Sequence, residues 1–168
     1  FPYTTLFRSE KEIKIDKSKP YIIVSGGTKE NVVPSNCTAK IINGIISEFT
    51  TKGVASHASN PEKGENAISK MLIKIVEDNI DFQYRDDIEL LLKYLCSDYY
   101  GDALGINQYD DVFKNTTLNL GILEVNEEKI ICELDIRYGK NINLNNILDR
   151  FKKVFCNDWN IKIISRSE

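Results

Sequence analysis

Alternating apolar and polar positions predict two clusters of secondary structure along the chain. Four segments of the first part have the pattern of strands: residues 12–15, 21–25, 37–42 and 45–56. Asn43-Gly44, between the last two segments, is a strong signal for a hairpin turn. An apolar stripe of helical period then covers residues 61–79, with Asn60 placed to cap the helix and Pro61 at its first position.

The second part repeats this mixture of strands and helices in a different order. The patterns predict a helix, a loop, two strands, a helix and a last strand over residues 86–99, 101–111, 116–125, 129–138, 144–155 and 159–164. The closing β-β-α-β order suits a ferredoxin-like unit. We therefore predict an α+β fold of two ferredoxin-like halves, residues 10–80 and 81–165, in which helices cover one face of antiparallel sheet.

Both ends of the chain resemble a translated sequencing adapter. Residues 6–9 read Leu-Phe-Arg-Ser, as encoded by CTC TTC CGA TCT, and the reverse complement of these codons begins Arg-Ser-Glu, which is the reading of residues 166–168. We therefore set residues 1–9 and 166–168 aside from the fold and expect the chain to be an interior piece of a longer protein. The alternative is a genuine mobile terminus.

Composition narrows the classes of function. Hydrophobic residues make up 42% of the chain and charged residues 28%, as in an ordinary soluble globular protein. The net charge of −3 argues against a nucleic-acid partner. No apolar run approaches the roughly 20 residues that cross a bilayer. We expect a cytoplasmic protein with no membrane partner.

The four cysteines do not suggest a metal site. Cys37, Cys96, Cys132 and Cys156 lie far apart within apolar periodic segments, and the chain has one histidine and no Cys-x-x-Cys motif. These spacings make a zinc site built from the cysteines improbable. We expect four buried free thiols in a reducing compartment.

The one histidine, His57, follows the apolar pattern of residues 45–56 and comes just before the predicted helix. A titratable imidazole at the rim of a strand suits catalysis or ligand binding. A lone histidine at the end of a strand is more often a hydrogen-bonded structural residue, and position alone leaves both interpretations open.

Three further polar residues are candidates for a site. Arg137 lies on the polar face of the strand at 129–138, where it is either functional or a solvated or ion-paired arginine. Asn119 lies between two leucines of the preceding strand. Asn31 follows Gly26-Gly27, in a place where asparagine usually satisfies the backbone of a turn.

Five motifs in order carry a resemblance to a known family. They are Gly27-x-x-x-Asn31-x-Val33-Pro34, Gly53-x-x-x-His57-Ala58-Ser59-x-Pro61-x-x-Gly64-x-Asn66-Ala67, Leu104-Gly105-Ile106, Thr117-Leu118-Asn119-Leu120-Gly121 and Asp135-Ile136-Arg137-Tyr138. Together they resemble the lid domain of the PepV-like (Xaa-His) dipeptidases, within the aminoacylase and carboxypeptidase-type di-zinc metallopeptidases. The resemblance covers nearly all of residues 20–165.

The resemblance implies a lid that closes over a separate catalytic domain. That domain would hold two zinc ions and a catalytic glutamate that activates water for attack on a dipeptide. We expect both to lie outside this chain, so the chain would bind no metal and would be inactive alone. The complete enzyme would be monomeric, since a second lid half takes the place of the partner found in dimeric relatives.

The resemblance also implies roles for three residues. His57 would donate a hydrogen bond to the oxyanion formed at the peptide carbonyl. Arg137 and Asn31 would bind the C-terminal carboxylate of the substrate, which would favour dipeptides. Two alternatives stay open: a stand-alone α+β module for small-ligand binding or dimerisation, and an enzyme of the same class that acts on acyl-amino acids or longer peptides.

Overall fold

The computed structural model describes residues 3–156 and 158–167, which form nine strands, three α-helices and a short 3-10 turn at Pro61–Lys63. In chain order the elements are β1 (Tyr3–Glu12), β2 (Tyr21–Gly26), β3 (Asn36–Asn43), β4 (Ile45–Lys52), α1 (Ala67–Glu77), α2 (Arg85–Leu95), β5 (Tyr109–Asp110), β6 (Lys114–Asn115), β7 (Thr117–Val125), β8 (Lys129–Tyr138), α3 (Leu144–Phe155) and β9 (Asn160–Ser167).

Seven of the strands form one sheet in the order β4-β3-β2-β7-β8-β1-β9, and β5 and β6 form a separate pair. Every ladder among the described strands is antiparallel. The inward residues of the central strands and the apolar stripes of the three helices share one core. The predicted α+β class, with antiparallel sheet and ferredoxin-like character, is therefore confirmed.

Alternation along β8 shows how the sequence produces two different sheet faces. Its even-numbered residues from Ile130 to Tyr138 are buried, and they pack towards the helices. Its odd-numbered residues, which include Asp135 and Arg137, lie on the opposite face, because successive side chains of a strand point to opposite sides. This second face carries the candidate functional residues.

The first strand differs from the prediction. The prediction of a short strand at 12–15 is wrong. The first strand, β1, covers Tyr3–Glu12 and lies between β8 and β9. Phe7 of β1 is fully buried and stacks on Phe151 of α3, with 5.3 Å between ring centroids. Residues 3–9, which resemble translated adapter, thus form part of the sheet, as do residues 166–167 in β9. Their adapter-like origin stays a prediction.

Helix α1 begins later than predicted. Asn60 makes no side-chain capping bond, and Pro61 opens the 3-10 turn instead. The cap is Asn66, whose Oδ1 accepts from the backbone N–H groups of Ile68 and Ser69 at 2.9 and 3.2 Å.

The strands of the two predicted halves form adjacent parts of the sheet. β2, β3 and β4 come from the first half, and β7, β8 and β9 come from the second. The two sets meet where β2 pairs with β7, from Val24 opposite Val125 to Gly26 opposite Leu123. The division of the chain into two halves stays a prediction.

The cysteines are all unpaired, but the prediction that all four are buried is wrong. Cys37 and Cys132 are buried, Cys96 is half-buried and Cys156 is exposed. Cys156 follows the last residue of α3 and has a φ of 53°, so the helix has ended there and the side chain is exposed.

Candidate functional site

The His57 segment lies beyond the end of β4, against the loop that follows β2. Val32 and His57 form an isolated antiparallel bridge. The backbone N–H of Ala58 donates to Asn31 O at 2.9 Å, and that of Val33 donates to Ser56 O at 2.9 Å. The prediction that His57 lies at the end of a regular strand is therefore wrong, because β4 ends at Lys52. The backbone contacts to residues 31–33 nevertheless hold His57 in a fixed place.

The surroundings of the His57 ring indicate its tautomer. The backbone N–H of Ser59 donates to Nδ1 at 3.1 Å, and Ser59 Oγ lies 2.7 Å from the same nitrogen. Because Nδ1 accepts a hydrogen bond, the proton of the neutral ring is on Nε2. The side chain is exposed, and Nε2 has no partner among the described residues. The ring thus presents an N–H donor to the surroundings of the site.

Arg137 is held by a carboxylate on its own strand. Its Nε and Nη2 donate to the two oxygens of Asp135 at 3.0 and 3.1 Å. The Asp135 side chain is fully buried and that of Arg137 is 16% exposed. No described residue accepts from Nη1, so one edge of the guanidinium can bind a further acceptor.

Burial raises the pKa of Asp135 above its ordinary value of 3.8. The hydrogen bonds and charge of Arg137 and the charge of His57 lower this pKa, and the charge of Glu30 raises it, but burial has the largest effect. The influence of His57 and Glu30 on Asp135 also places all three side chains in one electrostatic neighbourhood. Asp135 therefore binds Arg137 directly and lies within electrostatic range of His57.

Asn119 joins this sheet face to the loop that carries Asn31. It lies opposite Asp135 in the β7–β8 ladder and is 2% exposed. Its Nδ2 donates to Glu30 O at 2.9 Å and to Val32 O at 3.0 Å. Asn119 therefore has a structural role, which is to fix the loop on both sides of Asn31.

Two glycines allow the same loop to approach β7. A Cβ on Gly27, which has a φ of 79°, would lie 1.8 Å from Gly121 O, and one on Gly121 would lie 2.5 Å from Glu30 Cα. Gly121 is also the point where the register of the β7–β8 ladder shifts. Only glycine fits at both positions, so this close contact requires the Gly27 and Gly121 found in the sequence.

The three predicted site residues thus occupy neighbouring segments. The backbone carbonyl of Asn31 binds the residue after His57, while its half-buried side chain has no hydrogen-bond partner among the described residues. Arg137 is bound to Asp135, and Asn119, which lies opposite Asp135 in the ladder, holds that loop. The sequence identifies these three residues as candidates, but it shows no partner for Asp135 and no role for Ser59.

A metal centre does not fit the residues at hand. Among the residues that the structure describes, no group of three or more histidine, cysteine, aspartate and glutamate side chains is arranged to hold a metal ion. Asp135 is already bound by Arg137, and Nδ1 of His57 by Ser59. The groups that this site offers to a ligand are therefore the N–H donors of His57 and Arg137 and the positive charge of Arg137.

The chain is similar to proteins named "Putative dipeptidase" in staphylococci. It is 26% identical over 105 residues to one from Staphylococcus epidermidis, a match that covers 62% of the chain and 22% of the relative. It is 22% identical over 179 residues to those of Staphylococcus aureus strains MRSA252 and MW2, which covers 88% of the chain and 38% of each relative. No model of a protein family matches the chain.

These matches make the chain a distant relative of proteins that carry a dipeptidase name, and the chain spans 38% of the length of the Staphylococcus aureus relatives. Within the described residues, no helix has both the length and the apolar character needed to cross a membrane.

Proposed function

We propose that this chain is the lid of a dipeptidase that hydrolyses the peptide bond of dipeptides. The observation that carries the proposal is the state of His57, whose Nδ1 accepts from the Ser59 backbone and whose Nε2 is therefore a donor without a partner among the described residues. A fixed N–H donor is what a developing oxyanion needs. The dipeptidase names of the distant relatives support the same class of reaction.

In this proposal the lid binds the substrate at two points. The free edge of the Arg137 guanidinium, together with the Asn31 side chain, binds the C-terminal carboxylate. His57 Nε2 donates to the oxygen of the scissile carbonyl and binds it more strongly as negative charge develops there. Asp135 orients Arg137, and Asn119 orients the Asn31 loop. A short distance between carboxylate and carbonyl would select dipeptides over longer peptides.

The two zinc ions expected from the resemblance remain a proposal for the rest of the protein. The described residues do not fit a zinc centre, and no step proposed for this chain uses one. We propose that the chain acts only through binding, orientation and the donation of one hydrogen bond.

The test is the kinetics of the full-length protein on Ala-Ala. We expect His57→Ala to lower kcat by about 10²–10³ with little change in KM, because the donor acts mainly in the transition state. We expect Arg137→Met to raise KM instead, because the carboxylate is already bound in the ground state. Lys63→Ala, an exposed change in the neighbouring 3-10 turn, is the matched control and should leave both constants unchanged.

An unchanged kcat in His57→Ala would overturn the role of the donor. Equal rates on Ala-Ala and N-acetyl-Ala-Ala, or on Ala-Ala and tripeptides, would instead favour the alternative in which the same class of enzyme acts on acyl-amino acids or longer peptides.

One observation favours the other alternative, a module for binding or dimerisation. Ile45 and Ile46 at the β3–β4 hairpin are 76% and 66% exposed, and β4 is an edge strand of the sheet. Exposed apolar residues on an edge strand can support association. Under this alternative the chain would dimerise in analytical ultracentrifugation, and Ile46→Lys would make it monomeric.

A further inference from the structure

A groove opens beside the His57 segment, with a volume of about 250 Å³. One wall is the turn that contains Ser59 and Glu62. The other wall comes from Tyr100, from residues 113–115 and from Thr117. We refer to this cavity as the Thr117 groove.

Thr117 provides a buried hydroxyl that has no partner. It is 4% exposed, and its Oγ1 makes no hydrogen bond among the described residues. Other buried threonines are satisfied: Thr5 Oγ1 pairs with the Tyr138 hydroxyl at 2.9 Å, and Thr116 Oγ1 accepts from the Gln108 backbone at 3.2 Å. Ser9 Oγ is also unpaired, but it lies on the core side of β1 and lines no described cavity. A residue that lines a cavity and also carries an unpaired buried hydroxyl points to a ligand that would pair with that hydroxyl.

The groove lies between the two ends of the proposed substrate. Thr117 is directly opposite Arg137 in the antiparallel ladder, so both side chains are on the same sheet face and their Cβ atoms are about 5 Å apart. On the other wall, Ser59 is hydrogen-bonded to the His57 ring. In the proposed binding mode the carboxylate is at Arg137 and the scissile carbonyl is at His57. The Cα between them, which belongs to the C-terminal residue, then directs its side chain into the groove.

The walls of the groove suit a small polar side chain. The Thr117 hydroxyl can both donate and accept a hydrogen bond. The Tyr100 phenol is a neutral donor at neutral pH, and burial and the charge of Glu62 raise its pKa further. The backbone around Tyr100 is fixed, because Asp98 Oδ1 accepts from the N–H groups of residues 100, 101 and 102. A fixed wall of this kind can discriminate between side chains of the same shape.

We propose that the Thr117 groove binds the side chain of the C-terminal residue of the dipeptide, and that the Thr117 hydroxyl makes the enzyme prefer a hydroxyl-bearing residue over its methyl isostere. The inference rests on the proposed function and deepens it, because it assigns one substrate side chain to one cavity.

The test compares Ala-Thr with Ala-Val, which have nearly the same shape, in the full-length enzyme. We expect kcat/KM to be about tenfold higher for Ala-Thr, the effect of one net hydrogen bond. Thr117→Val should bring this ratio close to one. Thr117→Ser should retain the preference. Thr116→Val, which changes the neighbouring threonine whose hydroxyl already has a partner, should not alter the ratio.

A second readout uses the 168-residue chain without any activity. Because the Thr117 hydroxyl is buried and unpaired, Thr117→Val should raise the melting temperature, whereas Thr116→Val should lower it. A lower melting temperature in Thr117→Val would show that the hydroxyl is satisfied within the protein and would overturn the inference.

The kinetic outcomes separate the two proposals. If Ala-Ala is hydrolysed but Ala-Thr and Ala-Val react equally well, or if Thr117→Val retains the difference, the inference fails and the proposed function stands. If no dipeptide is hydrolysed, the proposed function fails, and the inference fails with it.

Discussion

Asp135 has two opposed effects on the molecule. It binds Arg137 with both carboxylate oxygens, yet its fully buried position makes the charged form costly. Burial has the larger effect, since the pKa of Asp135 in the folded chain is raised. The carboxylate thus orients Arg137 at a cost in folding free energy, as is common for charged groups at functional sites.

We predict that Asp135→Asn is at least as stable as the original chain at neutral pH. A carboxyl group whose pKa is raised by folding favours the folded state below its unfolded pKa of about 3.8, and this contribution is lost as pH rises through the folded-state pKa. The difference in melting temperature, variant minus original, should therefore increase with pH above about 4. Thermal melts of both chains from pH 3 to pH 8 would measure it.

A variant that is markedly less stable at pH 7 would contradict this prediction, because the ion pair with Arg137 would then outweigh the cost of burial. The double variant Asp135→Asn with Arg137→Met is the control. It removes the guanidinium, so any loss of stability caused by an unpaired Arg137 should disappear in it.

For single residues, the sequence predicted on which face a side chain lies better than which groups it binds. Period-two alternation placed Asp135 and Arg137 on the polar face of their strand, and the structure agrees. The contacts of Asn119 with Glu30 and Val32 cross almost ninety residues of chain, and no local pattern encodes such a distance. The unpaired state of Thr117 depends equally on tertiary neighbours, so only a structure could identify it.

At the scale of elements, Asn66 connects helix α1 to the sheet. Its Oδ1 caps the helix, and its Nδ2 donates to Leu120 O of β7 at 3.0 Å. We predict that Asn66→Ala destabilises the chain by about 2–3 kcal/mol, since it removes a cap and leaves a buried carbonyl without a partner. Urea denaturation of the two chains would measure the difference.

Asn143 provides a matched control for that change. It caps α3 in the same way, with Oδ1 accepting from the Asn145 backbone at 2.8 Å, but it is exposed and its side chain makes no second hydrogen bond among the described residues. Asn143→Ala should therefore cost only about 1 kcal/mol. Equal costs for the two variants would show that the bond from Asn66 to Leu120 contributes nothing.

The misplaced start of α1 has a physical reason. Asn60-Pro61 and Asn66 are both good helix-start signals, and the apolar stripe alone does not distinguish them. Both signals are used in the structure. Pro61 begins a single 3-10 turn, and the α-helix begins beyond Glu65, which forms a backbone bridge with Val54. That bridge is a tertiary contact, which the local pattern of residues 60–66 does not show.

For the molecule as a whole, the position of β1 is the least expected feature. Residues 3–9 resemble translated adapter, yet they lie between β8 and β9 in the interior of the sheet. Phe7 contributes a fully buried aromatic ring to the core under α3. A segment of foreign origin would not be expected to pair well with a strand on each side. The sequence of residues 3–9 therefore favours an adapter origin, whereas their place in the sheet favours a native strand.

We predict that a chain without residues 1–9 loses its cooperative thermal transition, because β9 loses its neighbour and α3 loses the ring on which Phe151 stacks. Removal of residues 166–168 is the matched control, since Arg166 and Ser167 are exposed on an edge strand and their loss should change the melting temperature little. Phe7→Ala in the 168-residue chain should lower the free energy of unfolding by about 3–5 kcal/mol, because it removes the same buried ring. A truncated chain that melts cooperatively at the original temperature would show that β1 is dispensable. The adapter interpretation would then gain support, and the fold would be one in which β8 pairs without help from residues 3–9.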